Sequence, residues 1–277
     1  MNVSFLIPTL NEEKNIRCAL DSVNWTAEVF IIDSFSQDKT LEIAQEYPNV
    51  KVYQHKFENY AAQKNWALDN LPFLKEWIFI LDADERITPE LKEEIIKITN
   101  DKNIKENGFY VNRRFIFLGR WIKHCGWYPS WNSRLFRKGK AHYEERAVNE
   151  HMIIEGEVGY LKNDMLHENH KGIFDWLEKH NRYSSLEAKE IYGVLHNKKE
   201  TGLKSSFSGN SVERKRAFRE RIMPKLPIFL IPLLRFSQMY FLRLGILDGY
   251  AGFVFCILQA IQEFHTSIKL KELEQNG

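Results

Sequence analysis

Two carboxylates two residues apart, Asp82 and Asp84 in Leu81-Asp82-Ala83-Asp84-Glu85, follow directly on an apolar run that begins at Trp77. At a strand end, acidic side chains with that spacing can approach one hard divalent cation together with a ribose or a diphosphate. Mg²⁺ and Mn²⁺ favour such oxygen ligands and keep coordination positions for phosphate oxygens. Asp-x-Asp alone is common in acidic loops; its place after an apolar strand gives it weight. Two other polar segments share the setting. Pro8-Thr9-Leu10-Asn11-Glu12 follows the apolar run Val3–Ile7, and Thr9, Asn11 and Glu12 can hydrogen-bond a base or ribose, or simply cap a helix. In Ile31-Ile32-Asp33-Ser34-Phe35-Ser36-Gln37-Asp38, Asp33 sits at the strand tip as a ligand candidate, while Ser36 or Asp38 reads as a helix cap.

Donor-rich residues complete the inventory. Gln63, Lys64 and Asn65 form a cluster where a diphosphate or base could dock, or a solvated helix start. Arg113, Arg114 and Arg134 offer planar donors for phosphate or carboxylate groups, with surface ion pairs as the plain alternative. Trp121, Trp127, Tyr128 and Trp131 are dense enough to suggest ring faces stacked on sugars, although such residues also anchor cores and loops.

The elements that must position these groups follow from hydrophobic pattern. Short apolar runs at Val3–Ile7, Val29–Ile32, Val50–Tyr53 and Trp77–Leu81 read as buried strands, separated by helical spacings over Glu12–Val23, Asp38–Glu46 and Tyr60–Leu71. Strands alternating with helices imply βαβ units and a sheet covered on both faces. Ligands bind such sheets at the carboxyl ends of the strands, where all three polar segments fall. From Gly108 to about His170, short aromatic-rich pieces and turn residues suggest antiparallel strands and loops, followed by a helix near Ile173–Tyr192. A formal net charge of +2 gives no whole-molecule attraction to nucleic acid. Cys18, Cys125 and Cys256 have neither disulfide-framework nor zinc-site spacing, which favours a reducing cytoplasm. The N-terminal run is too short and too poor in basic residues for a signal peptide, and no uncharged stretch reaches the ~20 residues of a spanning helix.

The three polar segments together resemble those of the family 2 glycosyltransferases of GT-A fold, with Phe35 where that family has Gly and Ser34 where a second Asp is frequent. The chain is also similar to bacterial lipopolysaccharide-core β-1,4-glucosyltransferases. The similarity runs through Asn59–Asn65, Asn112-Arg113-Arg114, Gly119-Arg120-Trp121, Gly126–Pro129, Arg134-Leu135-Phe136, Val148-Asn149-Glu150 and Leu247-Asp248-Gly249. The resemblance implies an α/β GT-A (Rossmann-like) mixed sheet flanked by helices. It implies Thr9, Asn11, Glu12, Asp33, Gln63 and Lys64 around a nucleotide, Asp82 at the ribose-diphosphate, and Asp84 with His167 on Mg²⁺ or Mn²⁺, His151 and His170 competing for the histidine's place. Arg113, Arg114, Trp127, Tyr128 and Arg134 would serve acceptor or phosphate. Because an alcohol is a weak nucleophile at neutral pH, a carboxylate should take its proton; Glu150 is the candidate base, with Glu145 in reserve. The implied activity is inverting transfer of a hexose from a nucleotide-diphosphate sugar, UDP-glucose first, to a lipid-linked or lipopolysaccharide-core saccharide.

The C-terminal part reads differently. A GT-A domain over 1–195 is expected to give way at 196–277 to a basic, amphipathic helical extension. The basic residues Arg214, Lys215, Arg216, Arg219, Arg221 and Lys225 precede apolar stretches broken by Pro232, Arg243 and Asp248. Basic residues beside apolar helices fit an anionic membrane surface, hence an enzyme peripheral on the inner face of the cytoplasmic membrane. The alternative is packing on the core or on a second copy, a homo-oligomer. Two other functions are weighed. A sugar-nucleotide nucleotidyltransferase would have glycine in its first phosphate loop, and Pro8–Glu12 has none. A non-catalytic scaffold that binds a membrane or a partner would have no need of Asp82, Asp84 and Glu150.

Overall fold

The computed structural model describes residues 1–144, 151–196 and 226–276. It forms two compact units, Met1–Lys123 with Trp127–Lys171, and His124–Gly126 with the chain from Gly172 onward.

The first unit is built on a ten-stranded mixed sheet. Strands β1 (Val3–Thr9), β2 (Val29–Asp33), β3 (Val50–Gln54) and β4 (Trp77–Ile80) lie in the order β3-β2-β1-β4 and run parallel. Helices α1 (Ile16–Val23), α2 (Thr40–Gln45) and α3 (Tyr60–Asn70) make the crossovers. Alternation sends Val3, Phe5 and Ile7 to one face, where Trp77 and Phe79 join Ile16, Leu20 and Val23 of α1. Helix α4 (Pro89–Asn100) adds Leu91 and Ile95 to the same core. Leu6, Phe30, Ile32, Ile78 and Ile80 face the other way, against Ala61 and Ala67 of α3 and against Phe73. Each fully buried large side chain contributes about 1.5–3 kcal/mol relative to exposure, and β1, β2 and β4 are wholly buried but for Pro8, so their order and register are firmly held.

Two expected helix starts fall later. Asn11 takes a left-handed φ of 53°, Glu12–Asn15 form a turn, and α1 begins at Ile16. Asp38 accepts the Thr40 amide at 3.0 Å, and α2 starts at Thr40.

Beyond β4 the sheet is mixed. The hydrogen-bonded path continues through β8 (Trp131–Arg137), β6 (Gly108–Phe117), β12 (Met165–Glu168) and β5 (Glu85–Arg86). β7 (Arg120–Trp121) and β11 (Val158–Tyr160) add to β6, while β9 (Ala141–Tyr143) and β10 (Met152–Ile154) form a separate antiparallel pair. β8 inserts between β4 and β6 and is antiparallel to both, whereas β12 and β11 pair parallel with β6.

In the second unit, α5 (Ile173–Leu195) packs with α7 (Gly249–Asn276) through Ala188, Ile191 and Leu270. Helix α6 (Leu230–Ser237) continues into a π-helical turn, Gln238–Leu242, and a 3₁₀ turn, Gly245–Asp248. The 124–126 segment joins this unit through buried Asp248, which accepts the His124 amide at 2.8 Å and pairs with its ring nitrogen at 2.7 Å. The stretch Gly245–Asn276 is long and apolar enough to be a candidate membrane crossing, although 44% of its most apolar window is buried within the protein. The basic run 214–225 lies outside the described residues.

Gly252 of α7 decides a sign. A Cβ there would overlap the Gly245 carbonyl oxygen and come within 2.6 Å of Asp248 Cβ. Helix propensity favours Gly252→Ala by roughly 1 kcal/mol, but forcing backbone aside costs about 1–3 kcal/mol. The variant is expected to be less stable by up to about 2 kcal/mol in urea unfolding; a raised midpoint would refute this packing.

Candidate active site at the carboxyl edge of the sheet

The parallel strands bring the three polar segments to one edge. Thr9 and Asp33 are register partners across β1 and β2. Beyond the last β1–β4 pair, Leu6 with Ile80, the ladder continues with Leu81 donating to the Leu6 carbonyl at 3.0 Å. Asp82 therefore emerges one strand from Thr9.

Asp33 is fully buried and accepts hydrogen bonds from Thr9 Oγ1 at 2.9 Å, Ser36 N at 2.9 Å, Ser36 Oγ at 2.5 Å and Gln54 Nε2 at 3.3 Å. Its carboxylate ties the tips of β1, β2 and β3 together. Asn11 Oδ1 accepts from the Gln37 amide at 2.8 Å and so fastens the first loop to the second. Glu12 binds Lys171 Nζ at 2.6 Å and Asn15 Nδ2 at 2.8 Å; burial pushes its carboxyl above the usual range despite the lysine. On α3, Asn59 caps the helix by accepting from Ala62 N at 2.8 Å. Gln63 is buried, donating to Ser34 Oγ at 3.1 Å and bonded to His55 Nδ1 at 2.9 Å.

Charge concentrates around Asp82. Arg134 Nη2 donates to Asp82 Oδ2 at 2.5 Å and to Glu85 Oε1 at 2.6 Å. Lys64 Nζ lies 3.9 Å from Asp82 Oδ1 and 4.8 Å from the centre of the Tyr143 ring. A β-bulge aims Arg134. Phe109 pairs with Leu135 and Tyr110 with Ser133, leaving Arg134 without an opposite number on β6. Such a bulge bends the strand and redirects its side chains. Burial opposes ionisation of Asp82, but Arg134 and Lys64 outweigh it and hold this carboxyl well below the ordinary range. Glu85 is pushed the other way: burial, then repulsion from Asp82, prevails over attraction to Arg134. Arg113 Nη1 lies 3.6 Å from Glu85 Oε1.

Asp84 meets a different partner. Strand β5 pairs with β12 so that His167 faces Glu85, and the Glu168 amide donates to the Asp84 carbonyl at 2.9 Å. His167 Nε2 thereby lies 3.1 Å from Asp84 Oδ2, with Asn169 Nδ2 at 3.3 Å. A carboxylate oxygen and an imidazole nitrogen that close together fit one octahedral cation with bonds of about 2.0–2.1 Å. Among the described residues no group of three or more His, Cys, Asp or Glu is arranged to hold a metal ion. Two protein ligands suit Mg²⁺ or Mn²⁺, which leave remaining positions to phosphate and water.

The other residues singled out from sequence gather elsewhere or fall outside. Arg114 Nε and Tyr128 OH both meet Asp164 Oδ2, at 2.7 and 3.1 Å, with Arg114 over the Trp121 ring. Trp127 packs on Phe115, ring centres 5.3 Å apart. Glu150 and Glu145 lie outside the described residues. Sequence reasoning left Glu85, Asp164, Lys171 and Asn169 without a role. Glu85 alone carried a signal, its place directly after Asp-x-Asp; the others depend on long-range pairing.

The profile of glycosyl transferase family 2 matches residues 4–162, more than half of the chain. The lipopolysaccharide core biosynthesis glycosyltransferase LpsC of Rhizobium meliloti is 27% identical over 97% of this chain and 91% of its own length. An uncharacterised glycosyltransferase of Rickettsia typhi is 26% identical over 98% and 87%. Two solved structures share the fold. The mannosyltransferase PcManGT of Pyrobaculum calidifontis, in complex with GDP-Man and Mn²⁺, has a TM-score of 0.53 at 12% identity, covering 98% of this chain and 87% of that one. TarS 1–349 of S. aureus, with UDP-GlcNAc, has a TM-score of 0.50 at 16% identity, covering 100% and 92%. With its strands, site edge and sequence in agreement, the chain belongs to glycosyl transferase family 2 and is a glycosyltransferase of GT-A fold.

Proposed function

We propose that this enzyme transfers a hexose, with inversion, from a nucleotide-diphosphate sugar to a lipid-linked or lipopolysaccharide-core saccharide, with UDP-glucose as the first donor to try. One observation carries the donor reading. Asp82 and Asp84 leave the same strand tip, one held by Arg134 and Lys64 and the other beside His167. Cationic side chains can take diphosphate oxygens while Asp84 and His167 hold Mg²⁺ or Mn²⁺. When bound, the cation offsets the negative charge that builds on the leaving diphosphate. The loops bearing Thr9, Asn11, Glu12 and Asp33, with Gln63 behind them, form the nucleoside side of the pocket, Asp33 acting by fastening those loops together. Glu150 is assigned as the base on its sequence position: it takes the acceptor hydroxyl's proton as the oxygen attacks the anomeric carbon and the diphosphate departs. Arg114, Tyr128, Trp127 and Arg113 are assigned to the acceptor or its phosphates. The lipopolysaccharide acceptor draws support from LpsC, whose name states that role.

The C-terminal unit supports placement on the inner face of the cytoplasmic membrane, as an extension of the catalytic part. Leu242 and Tyr250 are 79% and 77% exposed, alongside exposed Phe241, Leu244 and Leu247. Between Leu226 and Ile261 the charged side chains are Arg235, Arg243 and Asp248, and Asp248 is buried on His124. Arg235 lies 3.9 Å from Glu263, so the positive charge this exposed apolar surface carries is that of exposed Arg243, which suits an anionic bilayer. The uncharged part of α7, Gly249–Gln262, is roughly 21 Å long at ~1.5 Å per residue, short of a hydrocarbon core of about 30 Å. It is read as lying on the membrane.

Two outcomes are expected. Asp84→Asn should lower kcat/KM for the donor by about 10²–10³ with unchanged circular dichroism, and a chelator should abolish turnover until Mn²⁺ or Mg²⁺ is restored. Wild-type turnover in the variant would remove Asp84 from the metal role. Full-length protein should co-sediment with phosphatidylglycerol vesicles, less so at high salt, and Leu242→Glu with Tyr250→Glu should abolish this. Equal sedimentation of variant and wild type would contradict the membrane placement.

A further inference from the structure

We propose that Glu85 is a positioning residue for donor binding, sharing the Arg134 guanidinium with Asp82 so that neither Arg134 nor Asp82 is committed fully to the other when a nucleotide arrives. The inference rests on the reading of this edge as the donor site. Glu85 has no solvent exposure, whereas the Asp82 side chain is 35% exposed, so only Asp82 can meet a ligand. One nitrogen, Arg134 Nη2, is divided between them at 2.5 Å from Asp82 and 2.6 Å from Glu85. Glu85 also clasps the loop that bears Asp82: its Oε2 accepts from the Asp82 amide at 3.0 Å, and its own amide donates to the Asp82 carbonyl at 2.8 Å. Its backbone lies opposite His167 in the β5–β12 pair, and its carboxylate draws Arg113 to 3.6 Å. A single buried charge thus connects both guanidinium groups, the Asp82 turn and the strand that sets His167 beside Asp84.

Glu85→Gln removes the charge at nearly constant volume. Arg134 then keeps Asp82 as its one carboxylate partner among the described residues, and an arriving nucleotide competes with a tighter Arg134–Asp82 pair than in the wild type. The expected result is a Kd for UDP, measured by calorimetry with Mn²⁺, raised on the order of tenfold, the scale of a charge-assisted hydrogen bond. KM for the donor should rise in step while kcat changes by less than about threefold, a split that marks lost binding before the transition state. A cycle of Glu85→Gln, Arg134→Lys and the double variant should be non-additive, with the double no weaker than Arg134→Lys alone, because Glu85 acts through that guanidinium. Additive losses, or wild-type UDP affinity in folded Glu85→Gln, would overturn the proposal. Should that variant fail to fold, Glu85→Asp keeps the charge at a shorter reach and is expected to weaken UDP binding; unchanged affinity there overturns the proposal equally. Failure of the wild-type protein to bind UDP would instead sink the donor reading itself.

Discussion

A guanidinium shared by two carboxylates, Arg134 between Asp82 and Glu85, is the constraint on which the arrangement of this edge depends. The first of those carboxylates faces solvent and the second does not. Removing one partner of a buried pair leaves an uncompensated charge, which costs far more than the pair gains. The turn after β4, the bulge in β8 and the short strand β5 therefore have little freedom to rearrange independently. Around this knot lie the groups the proposed function uses: the positive charge of Arg134 and Lys64, the Asp84–His167 pair, and an ordered rim of loops from β1 and β2.

The two sides of the edge are held by different physics. At the tips of β1 to β3, Asp33 receives its hydrogen bonds from within the protein and gives shape to the rim. Around Arg134, like and unlike charges crowd together and push neighbouring carboxyl groups in opposite directions: Asp82 lies below its ordinary range and Glu85 above it. Division of labour between adjacent acids in this way is common where environment rather than residue type assigns roles.

Much of this was legible in the sequence. The parallel strands announced themselves as short apolar runs because both faces are buried, and the polar segments after them fell where such sheets bind ligands. Helix starts were less legible: Asn11 and Asp38 use their side chains to build the loops, and the polar residues Glu12–Asn15 form a turn before the apolar spacing and the helix begin together at Ile16. The insertion of β8 between β4 and β6 was hidden, since antiparallel pairing across dozens of residues leaves no local trace. With it went the aim of Arg134, which depends on a one-residue bulge. Arg113, Arg114 and Arg134 looked alike in the sequence, yet Arg134 and Arg113 reach Glu85 while Arg114 turns to Asp164. Strand alternation and register separate them, and both are products of the fold.

The central claim is that a metal-borne diphosphate sits where Asp84 meets His167 and Arg134 meets Asp82. Crystals grown with UDP and Mn²⁺ and measured at the manganese absorption edge test it most directly. An anomalous peak touching both Asp84 and His167, with diphosphate density reaching toward Lys64 and Arg134, is the predicted result. Manganese or nucleotide bound away from this pair would contradict it.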